Sequence, residues 1–253
     1  WPPTSSLDAR DHSDRVQFLN GTWKFRYYDS IYKLQDEFHS EGYDISGFDD
    51  IPVPSVWQMH GYDYHQYTNV RYPFAFDPPY VPKDNPCGAY VTDFDYDQNE
   101  DAPLAHLNFE GIDSCFYVWL NGRYVGYSQV SHSTSEFDIT EFIRNGSNRL
   151  CVLVLKWCDG SYLEDQDMWR LSGIFRDVTL VYEPKVFIED MYMRSEIAED
   201  FKSAVFKLDC VVKARRAQFD GGKLKVEILR ADGAGFASAE VGGQAVLGRQ
   251  HVS

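Results

Sequence analysis

No run of apolar residues in this sequence approaches the roughly 18 that a membrane-spanning helix needs, and neither end reads as a secretion signal. Basic residues are scarce: 24 Lys/Arg stand against 39 Asp/Glu. A net charge of −15 repels polyanions, which argues against nucleic acid or an anionic membrane as partner. Cysteine is also thin. Cys87, Cys115, Cys151, Cys158 and Cys210 are odd in number and form no CxxC pair. Neither a disulfide framework nor a cysteine-bound zinc is expected, and a reducing, cytoplasmic setting fits. The seven histidines show no HxH or HxxxH spacing, and GxSxG, GxGxxG and P-loop patterns are missing. Metal-centred, serine-nucleophile and nucleotide chemistry therefore have no signature here.

Aromatic residues are plentiful, at 16% of 253 residues, and unevenly placed: 34 of the 40 precede residue 185. Charge shifts at the same place. Residues 1–184 hold 13 Lys/Arg against 29 Asp/Glu, whereas residues 185–253 hold 11 against 10. Such a change marks a domain boundary, with Pro184 on it. The expected parts are an N-terminal arm over 1–15, a main domain over 16–183 and a second domain over 184–253. At about 70 residues, the second is short of the roughly 100 of an immunoglobulin-like sandwich and reads as truncated.

The local patterns are mostly β. Gly21–Tyr28, Gly88–Tyr96, Ala105–Phe109, Cys115–Leu120 and the apolar run LCVLVLKW from Leu150 are rich in β-branched and aromatic residues between turn signals. Asn121-Gly122 predicts a tight hairpin. Ser30 is placed to cap a short helix over IYKLQDEFHS, and Thr140–Arg144 suits one helical turn. Beyond Pro184, Val205 to Val212 alternate as a half-buried antiparallel strand does, while AGFASAEVGGQAVLGRQHVS shows little apolar periodicity. The fold class expected is all-β: a jelly-roll sandwich followed by a partial immunoglobulin-like sandwich.

Two stretches carry candidate chemistry. Residues 57–74, WQMHGYDYHQYTNVRYPF, gather Trp57, His60, Tyr62, Tyr64, His65, Tyr67, Asn69 and Tyr72 without the alternation of a strand. Sugars present C–H faces to rings and hydroxyls to donors and acceptors, and the Asn69 amide supplies both. Plain packing of a long loop is the competing account. The second stretch, DGSYLEDQDMWRLSGIFRDV from Asp159, holds Asp159, Glu164, Asp165 and Asp167 within nine residues. A carboxylate there can accept two hydroxyl hydrogen bonds or share a hard cation with a bound hydroxyl. Asp167 and Trp169, beside Arg170, suit either role, and Glu164 with Arg170 makes a plausible surface pair. Glu164 and Asp167 are close enough in sequence to be paired glycosidase carboxyls, but nothing in the sequence supplies a deep pocket to raise one pKa.

These residues resemble a known family. VPSVWQMHGYDYHQYTNVRYPF, PPYVPKDNPCGAY, SEFDITEFIRNGSNRLCVLVLKW and DGSYLEDQDMWRLSGIFRDVTL are similar, in order, to the amino-terminal region of long-chain bacterial β-galactosidases of glycoside hydrolase family 2. The likeness spans about residues 16–212. It implies a sugar-binding jelly roll, with both catalytic glutamates on a TIM barrel elsewhere in a longer enzyme. It further implies that Asn69 and Asp167 contact the galactosyl group, that Val70 contributes more weakly, and that Asp167 helps ligate sodium. Gln129 and Asp159 match positions of an outlying magnesium site. A parent enzyme that cleaves terminal β-galactosides by the retaining route, as a cytoplasmic homo-oligomer, is the expectation, with this fragment inactive alone. A free-standing carbohydrate-binding module, a β-glucuronidase or β-mannosidase of the same family, and a purely structural interaction domain are the alternatives.

Overall fold

The computed structural model describes residues 13–69, 71–216, 222–243 and 250–252. Val70 and most of the N-terminal arm lie outside these. The chain divides into two compact units, one up to Tyr182 and one from Glu183. No helix among the described residues is long and apolar enough to cross a membrane.

The first unit is an antiparallel β-sandwich. One sheet has the order β1 (Val16–Phe18), β14 (Val178–Glu183), β6 (Leu104–Phe109) and β10 (Ser135–Asp138). The other runs β3 (Asp49–Val53), β2 (Gly21–Tyr28), β5 (Cys87–Tyr96), β11 (Gly146–Leu155), β8 (Cys115–Leu120) and β9 (Arg123–Gln129). Strands β8 and β9 form the hairpin expected at Asn121-Gly122. Both turn residues have positive φ, +52° and +75°, as a type I′ turn demands.

The continuous apolar run in β11 has a clear cause. Side chains alternate across a strand, and here both faces of the sheet are covered. Leu150, Val152 and Val154 join the inter-sheet core with Trp23, Phe25 and Trp57. Cys151 and Leu153 face a second cluster under Phe38 and Phe48. Gly88 of β5 lies where a Cβ would meet the Phe25 ring at 2.5 Å, so only glycine lets that ring reach the sheet. Emptying such a site by Phe25→Ala costs about 3–5 kcal/mol by the usual cavity scaling.

The outer cover corrects one expectation. The helix predicted over IYKLQDEFHS is only a three-residue 3₁₀ turn, Ile31–Lys33, though Ser30 does accept from the Tyr32 amide. Ile31, Leu34, Phe38, Tyr43 and Ile45 all pack on the second cluster. Spreading them over a flat sheet keeps the chain irregular, where a short helix would bury only one stripe. All five cysteines are buried and free.

Two short ladders complete this unit: β4 (Tyr67–Thr68) with β12 (Met168–Trp169), and β7 (Ile112–Asp113) with β13 (Gly173–Ile174). The second unit is also antiparallel β. Strands β15 (Val186–Ile197), β16 (Ala204–Ala214) and β19 (Gln250–Val252) form one sheet, and β17 (Gly222–Leu229) pairs with β18 (Gly235–Gly243). Strand β18 falls in the stretch with little apolar periodicity. Its pairing follows from the turn at Gly233, φ +83°, which supplies a hydrogen-bonded partner whatever the side-chain pattern. Met193, Val205 and Phe206 stay exposed.

Candidate functional site

The exit of β11 sets the position of the acidic loop. Asn85 replaces a strand partner there: its amide donates to the Trp157 carbonyl at 2.8 Å, and its oxygen accepts from the Trp157 N–H at 3.0 Å. The chain then makes a 3₁₀ turn, Asp159–Tyr162. Tyr162 donates to the Tyr80 carbonyl at 2.6 Å, and its ring meets those of Tyr72, Phe74 and Phe76. This packing fastens the aromatic stretch to the acidic loop.

The carboxylates of the loop separate by task. Glu164 accepts from both the backbone N–H and the hydroxyl of Ser131, at 2.8 and 2.9 Å, and so pins a neighbouring turn. Asp165 takes the Arg170 guanidinium at 2.5 Å. The surface pair of Glu164 with Arg170 is therefore corrected: Arg170 is only 6% exposed and bonds Asp165, the Gln166 carbonyl and Thr68 Oγ1. A buried guanidinium needs several acceptors, and Glu164 is already committed to Ser131.

Asp167 remains, exposed at the edge. Its Oδ1 accepts from the Tyr67 hydroxyl, which raises the phenol's pKa. Thr68 pairs with Met168 and Tyr67 with Trp169, while the Arg170 N–H donates to the Gln66 carbonyl at 2.7 Å. Asn69 and Asp167 each sit one residue beyond the Thr68–Met168 pair, on facing strands. The ladder thus brings together the amide and the carboxylate singled out from two separate stretches. The Trp169 ring contacts Tyr67 and His65 beside them, with ring centroids 5.6 and 6.3 Å apart. An amide, a carboxylate, a phenol and an indole on one exposed edge are the groups that bind sugar hydroxyls and sugar C–H faces. Val70 lies outside the described residues.

Gln129 and the Asp159 turn also meet: Gln129 Oε1 lies 3.4 Å from where a Cβ on Gly160 would stand. Gln129 Oε1 accepts from Tyr127 at 3.1 Å, and Asp159 accepts from the Gly160 N–H at 2.9 Å. Among the described residues no three His, Cys, Asp or Glu side chains converge as a metal cage.

Sequence reasoning passed over Asp113. It lines a small cavity whose walls include Ser114, Ser161, Glu164, Arg170 and Ser172. Burial pushes its carboxyl up to about 8, and the nearby Glu164 charge adds to the shift. Beside it, hydrogen bonding with Cys115 draws the Cys158 thiol down to about 6. Also missed was the ion pair of Lys156 and Asp63, 2.5 Å apart and only 2% and 4% exposed. Neither has a local signal, since an acid in an Ile-Asp dipeptide and a lysine ending a strand read as surface groups.

The sandwich and this edge are those of a β-sandwich domain, and its likeness to known proteins gives its class. The family model for the sugar binding domain of glycosyl hydrolases family 2 matches residues 16–184. The chain belongs to that family. It is 48% identical over 206 residues to a β-galactosidase of Actinobacillus pleuropneumoniae, covering 81% of this chain and 20% of that protein. A β-galactosidase of Staphylococcus xylosus is 46% identical over 198 residues, covering 78% and 19%. The chain therefore spans about a fifth of the length of these curated relatives. Among solved structures, β-glucuronidase 2 of Bacteroides uniformis, covalently bound to cyclophellitol-6-carboxylate aziridine, superposes with a TM-score of 0.70. That match is 19% identical and covers 94% of this chain and 28% of the other, which speaks to fold alone.

Proposed function

We propose that this chain is the amino-terminal, sugar-positioning part of a β-galactosidase that cleaves terminal β-D-galactosyl residues by the retaining route. The observation that carries the reading is the β4–β12 ladder, which supports a joint role for Asn69 and Asp167 on one sugar. Identity of 42–48% to proteins named β-galactosidase favours a galactoside over a glucuronide. In this reading the Asn69 amide and the Asp167 carboxylate hydrogen-bond adjacent galactosyl hydroxyls, and Val70, next in sequence to Asn69, contributes more weakly. Tyr67 holds Asp167 in orientation, and Arg170 holds the two strands together. The two carboxyls that break the bond belong to another part of the longer protein. This chain's share is positioning, and a misplaced sugar costs on the order of 10²-fold in rate.

Asp167 suits the sodium role. Tyr67 engages one of its oxygens, the other remains for a hard cation, and the site's donors are oxygens. Bound sodium would supply a fixed positive charge for a sugar oxygen. Gln129 and Asp159 offer two oxygen donors, too few alone for octahedral magnesium, so they are proposed only as part of a larger ligand set. Further domains of the parent enzyme and copies of the same chain are the proposed partners, in the cytoplasm.

The deciding experiment is kinetic. In the full-length parent enzyme, Asp167→Ala is expected to lower kcat/KM for a chromogenic galactoside by about 10²-fold or more, while this chain alone releases no galactose. Undiminished activity of the Asp167→Ala enzyme overturns the assignment, as does hydrolysis by the isolated chain.

A further inference from the structure

The aromatic stretch also contains an exposed ring that the edge around Asp167 does not use. Tyr64 is 62% exposed, yet the Lys156 ammonium lies 4.7 Å from its ring centroid. Tyr64 opens onto a cleft of about 380 Å³ whose walls include Tyr27, Phe74 and Trp157. That volume falls within the range of small-molecule sites, roughly 300–1,000 Å³. We infer that this cleft is a second saccharide site, holding a neutral glycosyl unit against its rings.

The charges lining the cleft select the ligand class. An anion finds no unspent cation, because Lys156 is paired with Asp63 at 2.5 Å and the other charged walls are Asp29 and Asp84. A cation finds the ring faces and Asp29 occupied, which leaves it solvent-exposed Asp84, where an ion pair is weak. Lys156 already lies over Tyr64 and, at 5.2 Å, over Trp157, while Asp29 already holds Lys33 at 2.7 Å. A purely apolar ligand would desolvate Asp84 and Asp29 without hydrogen bonds in return. A neutral polyol meets each demand. Its hydroxyls donate to the carboxylates, its oxygens accept from the Gln66 amide and the Tyr27 phenol, and its C–H face lies on the rings.

The cleft is lined by neither Asn69 nor Asp167. The inference rests on the proposed function only for the sugars tried first. The test is saturation-transfer and shift-perturbation NMR on the full 253-residue chain. The probes are methyl β-D-galactoside, lactose and cellobiose, with choline as the cationic control. Millimolar saccharide binding is expected, read from shifts at the cleft residues Tyr27 and Trp157 and weakened there about tenfold or more by Tyr64→Ala and by Asp84→Asn. Both altered side chains are exposed, so the fold should survive, which circular dichroism checks. Binding that ignores both cleft variants overturns the site. So does binding of choline alone, or the absence of any saccharide signal up to about 50 mM. Binding lost only in Asp167→Ala removes the cleft and leaves the proposed function standing. Failure of the kinetic test on the parent enzyme leaves the cleft untouched.

Discussion

The hydroxyl of Tyr67 donates to the carboxylate of Asp167, 100 residues further along the chain. An ionised acceptor favours the protonated phenol, so the bond holds the Tyr67 pKa above its ordinary value. Replacing Asp167 by Asn should bring the Tyr67 titration back toward that of a free tyrosine. NMR titration of the Tyr67 ring resonances measures this, and an unchanged midpoint would show that the bond does not form in solution.

Arg170 joins the two strands that carry Asn69 and Asp167. Its removal in Arg170→Met leaves Asp165, 13% exposed, without its cation. Breaking a pair this buried costs about 3 kcal/mol. Urea unfolding should show that loss. Hydrogen exchange should show the Arg170 amide, bonded to the Gln66 carbonyl at 2.7 Å, opening much faster than in the parent chain. Unaltered exchange at that amide would mean that the ladder holds without the guanidinium.

Lys156 and Asp63 lend themselves to a double-mutant cycle. Lys156→Met alone strands a buried carboxylate that otherwise accepts from both Lys156 and Gln58. A loss of about 3–5 kcal/mol is expected. Lys156→Met combined with Asp63→Leu should recover most of it, because no uncompensated charge remains. A double variant as unstable as the single one would place the cost in packing.

Asp113 makes stability depend on pH. Its folded pKa, pushed up to about 8, lies above the ordinary carboxyl value of 3.8. Between those values the folded state binds the proton and the unfolded state does not. Asp113's contribution is therefore complete below about pH 4 and is lost as pH rises to about 8. Asp113→Asn removes this dependence. Urea midpoints of the two proteins should diverge steadily from pH 5 to pH 8 in favour of the Asn variant, and parallel curves would refute the shift.

Some of this was legible in the residues. Asn121-Gly122 predicts its hairpin because only a few residue pairs tolerate two positive φ angles in succession. The LCVLVL run predicts a strand, though not that both faces would be covered, since the cover comes from residues 31–48 in irregular conformation. The aromatic stretch reveals its density but not its division of labour. Trp57 is fully buried while Tyr64 and Tyr67 are half exposed or more, and local sequence does not set that difference. Residue chemistry singles out Asn69 and Asp167, and the family resemblance assigns them to one sugar. Their placement on facing strands is a matter of register, which a single sequence does not encode across a hundred residues.

The short ladder at Tyr67–Thr68 and Met168–Trp169 also bears on the order of folding. It closes a loop of about one hundred residues, and two paired residues return little against the entropy of that closure. It is stable only once β5, β11 and the layers around them have already brought its ends near each other. The edge that carries Asn69 and Asp167 is therefore among the last features to assemble. A destabilising change anywhere in the first unit's core should blur this edge before the sandwich itself melts.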